Sequence, residues 1–209
     1  MIGQTRERIG RRLGVTLNDR HARSGNDDLV GLTGDWLGGL EQPHLLLNGV
    51  SAVAARLEDG GGTMQDEYGE ATLAVVTTTP ARVELHKSYV RSGHQFVYVG
   101  RRSGGTMAGY WYSPKQPVFR GLFCFVRTDC LVEEEVKVVR GQVRTSSPRL
   151  AAVNGALITL LGAFLWSAFT VRVGVAVGCG ALLALSHVIL RSRQVALGRD
   201  ADAWRELLG

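Results

Sequence analysis

The sequence predicts a mainly β protein: an eight-stranded antiparallel up-and-down β-barrel, similar to a lipocalin, followed by a C-terminal two-helix transmembrane hairpin. Two observations predict this fold class. Residues 29–147 contain short runs rich in Val, Thr, Tyr, Phe and Trp, separated by Gly, Pro, Asn and Asp. Residues 150–190 are almost entirely apolar, and Arg172 is the one formally charged residue among them. The 209-residue chain is therefore expected to join a β domain to membrane helices.

Residues 1–28 form a polar and basic leader ahead of the strand-like runs. Ile2, Ile9 and Leu13 are spaced so that they share one face of a short helix. A basic helix of this kind can lie on an anionic membrane surface, but a solvated leader is favoured. The leader has no apolar core, so it is not a secretory signal.

Eight strand-like runs follow with no helical pattern between them, which predicts a meander of antiparallel strands. The runs begin near residues 31, 44, 71, 81, 94, 105, 117 and 130. In about 115 residues the most economical closure is an up-and-down barrel, and a β-sandwich is the alternative. Five glycines inside the runs are the small residues that tight coiling or bulges require, at positions 34, 38, 100, 109 and 121.

The apolar stretch divides at Arg172 into two predicted transmembrane helices, 150–171 and 173–190. Each is close to the ~20 residues that a bilayer core requires. A buried helix pair in a soluble protein is the alternative, but such helices usually carry a polar stripe. Basic residues flank both outer ends, so the positive-inside rule places the barrel and both termini in the cytoplasm, at the inner membrane.

Small residues in the second apolar segment predict close helix packing and a homo-oligomer. Gly174 and Gly178 form one small-xxx-small pair, and Gly180 and Ala184 form another. Residues 194–209 then predict a short amphipathic helix in a cytoplasmic tail, which either lies on the membrane interface or packs on the barrel. The net charge of +5 could suit nucleic acid, but basic residues gather at the cytoplasmic margins of membrane proteins in any case. No polymeric nucleic acid is expected as a partner.

Aromatic and basic residues of the late strands make the strongest candidate site. Aromatic rings stack on nucleobases and arginine pairs with phosphate, so these residues predict a small-nucleotide site. In the alternative interpretation the aromatic rings fill the core and the arginines protect strand edges. The two interpretations are balanced for Tyr110 and Tyr112, whereas core packing is favoured for Trp36 and Trp111. The candidate ligand-binding residues are Tyr98, Arg101, Tyr110, Tyr112, Arg120 and Arg127.

Catalytic motifs are lacking in the sequence: there is no phosphate loop, His-Glu-x-x-His or nucleophile elbow. We therefore expect a non-enzymatic protein that needs no cofactor. His44, His86 and His94 fall on or beside three different strands and would have to converge to bind a metal, which is not expected. The three cysteines show no repeated spacing, which argues against a disulfide framework or a zinc site.

Three segments carry a family resemblance: GDWLGG (Gly34–Gly39), GTMAGYWY (Gly105–Tyr112) and FRGLFCFVR (Phe119–Arg127). With the two apolar segments, they resemble the SMODS-associated two-transmembrane, β-strand-rich effectors of bacterial cyclic-oligonucleotide anti-phage signalling (CBASS). The resemblance implies that a cyclic dinucleotide binds the barrel and that the protein oligomerises and disrupts the inner membrane. In that family the membrane helices precede the barrel, whereas here they follow it.

The sequence thus favours a membrane-anchored receptor or effector that binds a small cytoplasmic ligand. One alternative is a membrane-tethered, lipocalin-like barrel for a lipid or another hydrophobic molecule, which an apolar interior without arginine would favour. Another is a structural membrane subunit, which a filled barrel without a cavity would favour.

Overall fold

The computed structural model describes residues 1–17, 31–42, 49–79, 81–169 and 173–208. It contains one short helix, eight strands and two long helices in chain order. A 3-10 turn at Thr128–Cys130 separates the last strand from the long helices. The elements are α1 (Ile2–Leu13), β1 (Gly34–Glu41), β2 (Val50–Glu58), β3 (Gly61–Asp66), β4 (Gly69–Thr79), β5 (Arg82–Tyr89), β6 (Gln95–Ser103), β7 (Thr106–Tyr112), β8 (Arg120–Arg127), α2 (Glu133–Phe169) and α3 (Val173–Leu208).

The eight strands form a closed barrel in which each strand pairs with the next in the chain. All pairings are antiparallel, and β8 returns to β1 with Trp36 opposite Arg127 and Leu40 opposite Phe123. The predicted up-and-down barrel is therefore confirmed, and the sandwich alternative is excluded.

One predicted strand is wrong and one observed strand was not predicted, so the strand count is still right. The predicted eighth run, Cys130–Arg144, is not a strand; it ends the 3-10 turn and begins α2. The loose alternation was misread as a strand, because the buried residues Glu135, Val139 and Val143 are four apart and lie on one face of a helix. The strand that replaces it is β3, whose Gly-rich sequence carries little β-forming signal.

Large side chains fill the barrel interior. Trp36, Tyr98, Phe123 and Phe125 are fully buried there, and the Tyr98 and Phe123 rings meet edge to face with centroids 5.4 Å apart. Trp111 also belongs to this core. The indole nitrogens of both tryptophans donate to backbone carbonyls, Trp36 to Leu32 and Trp111 to Glu41. Both tryptophans are thus core residues with satisfied polar groups.

The three helices cover the outer face of the barrel over β1, β2, β7 and β8. A second hydrophobic core forms there from α1, the start of α2 and the end of α3. Trp204 of α3 is buried in it together with Ile9, and its indole nitrogen donates to Thr5 Oγ1. Arg8 of α1 binds both Glu41 of β1 and Asp200 of α3. The two ends of the described chain therefore pack against the same strands.

The predicted transmembrane hairpin is wrong. Among the described residues, no helix has a stretch both long enough and apolar enough to cross a bilayer. The predicted segments 150–171 and 173–190 are parts of longer helices that also carry charged, barrel-packing turns. The predicted tail helix 194–209 is not a separate element, because α3 is a single helix from Val173 to Leu208.

Candidate functional site

A cleft lies between the outer face of the barrel and the last turns of α3, and we call it the α3 cleft. Its volume is about 170 Å³. It brings together three of the predicted ligand residues, Tyr110, Tyr112 and Arg120, with residues that the sequence had not linked to them. The lining residues are Tyr110, Tyr112, Pro114, Pro117, Arg120, Ala201, Asp202 and Arg205.

Strand alternation places the two tyrosines of the α3 cleft side by side. In β7 Met107 and Trp111 face the interior, so Tyr110 and Tyr112 face outward. Their rings are stacked, with centroids 6.0 Å apart and planes 22° apart. Burial raises the pKa of Tyr110, against the opposing effect of Arg205, so its hydroxyl is protonated and can donate a hydrogen bond.

Arg120 connects the α3 cleft to helix α3. It lies opposite Tyr112 in the sheet register and binds Asp202 through two contacts, Nη1 to Oδ1 at 2.8 Å and Nη2 to Oδ2 at 3.0 Å. A Cβ atom on Gly198 would lie 3.0 Å from Arg120 Nη2, so a larger residue would press on the guanidinium group. Both members of the ion pair remain partly exposed, so a ligand can reach them.

The chemistry of the α3 cleft suits a small ligand with an aromatic ring and a negative charge. The stacked tyrosines offer an aromatic surface, and Arg120 and Arg205 offer positive charge. Most small-molecule sites enclose roughly 300–1,000 Å³. At about 170 Å³ the α3 cleft is smaller than this range, so a nucleotide would require α3 to move.

The other predicted ligand residues lie elsewhere. Tyr98 is buried inside the barrel and does not line the α3 cleft. Arg101 of β6 donates to the carbonyl of Leu207 at 2.8 Å and so holds the end of α3. Arg127 binds Asp129 beside the 3-10 turn. Neither arginine lines the α3 cleft.

Sequence reasoning missed the contribution of α3 to the α3 cleft. Asp202 and Arg205 are three residues apart, so they lie on one face of the helix. The sequence predicted an amphipathic helix here, either lying on the membrane interface or packed on the barrel. In the structure the end of α3 packs on the barrel, and Asp202 binds Arg120.

A buried polar cluster inside the barrel was also missed; we call it the barrel polar cluster, and its residues are Asp66, Glu67, Lys87 and Tyr89. Lys87 Nζ lies 2.5 Å from Asp66 Oδ2 and 2.9 Å from the Tyr89 hydroxyl. Burial raises the pKa of Glu67 to about 7 and lowers that of Lys87. The alternation of β5 could have revealed this cluster. Val83, Leu85 and Tyr89 face inward, and Lys87 lies two residues from Leu85 and from Tyr89, so it must face inward too.

The predictions for metal binding and helix packing can be compared only with the residues that the structure describes. Among these, no group of three or more His, Cys, Asp or Glu is placed to hold a metal. His44 lies outside the described residues, and His86 pairs with Glu84.

The small residues of α3 that were predicted to pack against another helix differ in their surroundings. A Cβ on Gly180 would lie 3.4 Å from the Phe164 ring of α2, whereas one on Gly178 would meet open space. Ala184 is exposed, and the surroundings of Gly174 lie outside the described part of the structure.

Comparison with known proteins finds no match: no protein-family model, no curated protein and no solved structure resembles this chain.

Proposed function

We propose that the protein is a non-enzymatic, membrane-associated receptor for a small anionic ligand with an aromatic ring, such as a cyclic nucleotide. The observation that carries this proposal is the α3 cleft, in which two stacked tyrosines and two arginines meet at the contact between the barrel and α3. The interior of the barrel is filled, so the ligand binds on its outer face.

The ligand would act by competing with Asp202 for Arg120. A phosphate group that binds the Arg120 guanidinium replaces both contacts to Asp202. The end of α3 is then held by fewer contacts, among them those from Arg101 to Leu207 and from Gln194 to Val118. Because a ligand shifts a conformational equilibrium only by its differential affinity, the state with α3 released must bind it more tightly.

Membrane association is supported by the exposed apolar side chains of α2 and α3 between the barrel-packed ends. Ile158 is 71% exposed and Trp166 is 70% exposed. Val177, Leu182 and Val188 of α3 are also more than half exposed. Contiguous exposed apolar residues mark sites of protein or membrane interaction. Arg191 follows it and would attract anionic lipids.

Isothermal titration calorimetry tests the ligand proposal with the full chain in detergent and a panel of cyclic mono-, di- and trinucleotides. We expect one class to bind and Arg120→Gln to weaken it at least tenfold, because the pair to phosphate is lost. Arg91→Gln, at an exposed arginine in the β5–β6 turn, is the matched control and should bind normally. Absence of heat with every member of the panel would contradict the proposal.

Flotation with anionic phospholipid vesicles tests the membrane proposal. The wild-type chain should float with the vesicles, and a Leu182→Ser, Leu185→Ser double variant should float less. Val76→Ser removes an equally exposed apolar side chain from the barrel and should change nothing. Wild-type protein that stays at the bottom of the gradient would contradict the membrane proposal.

The packed barrel interior favours one second candidate, a structural membrane subunit that binds only protein. The same interior argues against the lipocalin-like alternative, since Trp36, Tyr98, Phe123 and Phe125 occupy the space that a hydrophobic ligand would need. Calorimetry separates the two surviving candidates, because the structural subunit would bind no nucleotide.

A further inference from the structure

The barrel polar cluster places a lysine amine against a carboxyl group where water is excluded. Lys87 is 1% exposed, and its Nζ lies 2.5 Å from Asp66 Oδ2. The two residues come from β5 and β3, which are separated in the sheet by β4. Their side chains therefore meet across the inside of the barrel rather than along a strand pair.

The surroundings hold the two groups in place. The Tyr89 hydroxyl donates to Asp66 Oδ2 at 2.6 Å, and the backbone amide of Tyr68 donates to Asp66 Oδ1 at 2.8 Å. The Lys87 ammonium also lies 4.1 Å from the centre of the Tyr89 ring. The Asp66 carboxyl group is thus fixed in position and presents Oδ2 to the lysine.

A second carboxyl group lies beside this pair. Glu67 is 6% exposed, and its Oε1 is buried without a hydrogen-bond partner of normal geometry. Glu67 directly follows Asp66 in the chain, and the charges of Asp66 and Lys87 both act on its carboxyl group. A pKa of about 7 lets Glu67 accept a proton and release it again near neutral pH.

We propose that Lys87 and Asp66 form an intramolecular isopeptide bond, with Glu67 as the proton carrier. A proton first passes from the Lys87 ammonium to the Asp66 carboxylate, which leaves a neutral amine beside a carboxylic acid. Lys87 Nζ then attacks Asp66 Cγ, and Glu67 takes the proton that Nζ loses. Glu67 returns this proton to the Asp66 hydroxyl group as its bond to Cγ breaks, and one water molecule leaves.

Burial favours each step of this reaction. The charged forms of Lys87 and Asp66 are costly in the low dielectric of the barrel interior. Burial also lowers the pKa of Lys87, so the neutral amine that attacks is more populated. The fixed contact replaces a bimolecular encounter by an intramolecular one. Asp66 and Lys87 are each 1% exposed, which limits the access of water to the bond and slows its hydrolysis. The inference does not depend on the receptor proposal, because the barrel polar cluster lies inside the barrel and the α3 cleft outside it.

Intact mass spectrometry of the purified full chain, under denaturing conditions, tests the proposal. We expect a mass lower than the sequence mass by about 18 Da, the mass of one water. After digestion, the peptides that contain Asp66 and Lys87 should appear as one branched species. A chain of unmodified mass, both when fresh and after long incubation at neutral pH, would overturn the proposal.

Two variants separate this bond from other reactions. Cyclisation of Asp66 with its own backbone loses the same mass, but it does not need Lys87. Lys87→Arg should therefore restore the full mass, and a mass loss that persists in this variant would also overturn the proposal. Glu67→Gln should leave most chains uncross-linked while keeping the circular dichroism spectrum of the wild type. Complete cross-linking in Glu67→Gln would overturn the role of Glu67 as proton carrier.

Discussion

Glu67 shows how a single buried carboxyl group links stability to pH. Its pKa is raised from 4.5 to about 7, mainly by burial, so the folded state holds its proton more tightly than the unfolded chain does. Its contribution to stability is complete below about pH 4.5 and is lost as the pH rises to about 7. At about 1.4 kcal/mol per pKa unit, the loss is of the order of 3 kcal/mol.

We therefore predict that the free energy of unfolding falls between pH 4.5 and 7 and that Glu67→Gln makes this fall smaller. Urea denaturation across this range measures the slope. Glu70→Gln changes an exposed neighbour and should keep the wild-type slope. An unchanged slope in Glu67→Gln would show that Glu67 titrates as in solvent.

Gly109 is a residue whose size decides the curvature of the barrel. A Cβ atom there would lie 2.1 Å from the Val99 carbonyl oxygen and 2.4 Å from the Gly100 Cα, so two strands approach where only glycine fits. We predict that Gly109→Ala destabilises the protein by about 1–3 kcal/mol or more, the usual range for overpacking.

The matched control for this substitution is Gly141→Ala in α2. A Cβ at Gly141 meets nothing within 4 Å, and the helix gains about 1 kcal/mol from alanine. The two substitutions add the same methyl group and should change the thermal midpoint in opposite directions. Equal effects would mean that the close approach at Gly109 does not constrain the barrel.

At the scale of elements, α1 depends on α3 for its place on the barrel. Trp204 is 1% exposed, packs in the core that contains Ile9 and Leu13, and donates to Thr5. We predict that Trp204→Ala lowers the free energy of unfolding by about 3–5 kcal/mol, the usual cost of removing a buried Trp. Hydrogen exchange of the α1 amides should increase in parallel, because the helix loses its cover.

Trp166→Ala is the matched control, since Trp166 belongs to α2 and is mostly exposed. It should leave both the unfolding midpoint and the exchange of α1 close to wild-type values. Protection of α1 that survives in Trp204→Ala would show that β1 and β8 hold this helix without α3.

The elements also show which parts of the fold the sequence could predict. Strand β5 alternates clearly because one of its sides faces the barrel interior and the other faces solvent. Strands β7 and β8 are buried on both sides, because helices cover their outer face, and their continuous apolar and aromatic sequence still predicts strands. Strand β3 lacked this signal, because glycine and polar residues form it and neighbouring strands hold it in place. Hydropathy located the apolar parts of α2 and α3 but could not show that both helices extend onto the barrel.

The candidate site was predictable only on the strand side. Tyr110, Tyr112 and Arg120 lie on adjacent strands, so the order of strands brings them together. Asp202 and Arg205 come from the far end of the chain, and local patterns do not encode a contact of this kind. Tyr98 faces the barrel interior, whereas Tyr110 on the neighbouring strand faces outward, so Tyr98 does not line the α3 cleft.

At the scale of the whole molecule, the contact of Trp204 with Thr5 sets the order in which the protein can be completed during synthesis. The barrel cannot close until β8 has left the ribosome to pair with β1. The α1 helix can then pack Ile9 against β1, but the apolar face that Trp204 covers stays open until the last turns of α3 arrive. A nascent chain halted after β8 should therefore expose this apolar face to chaperones, although its barrel could already be whole.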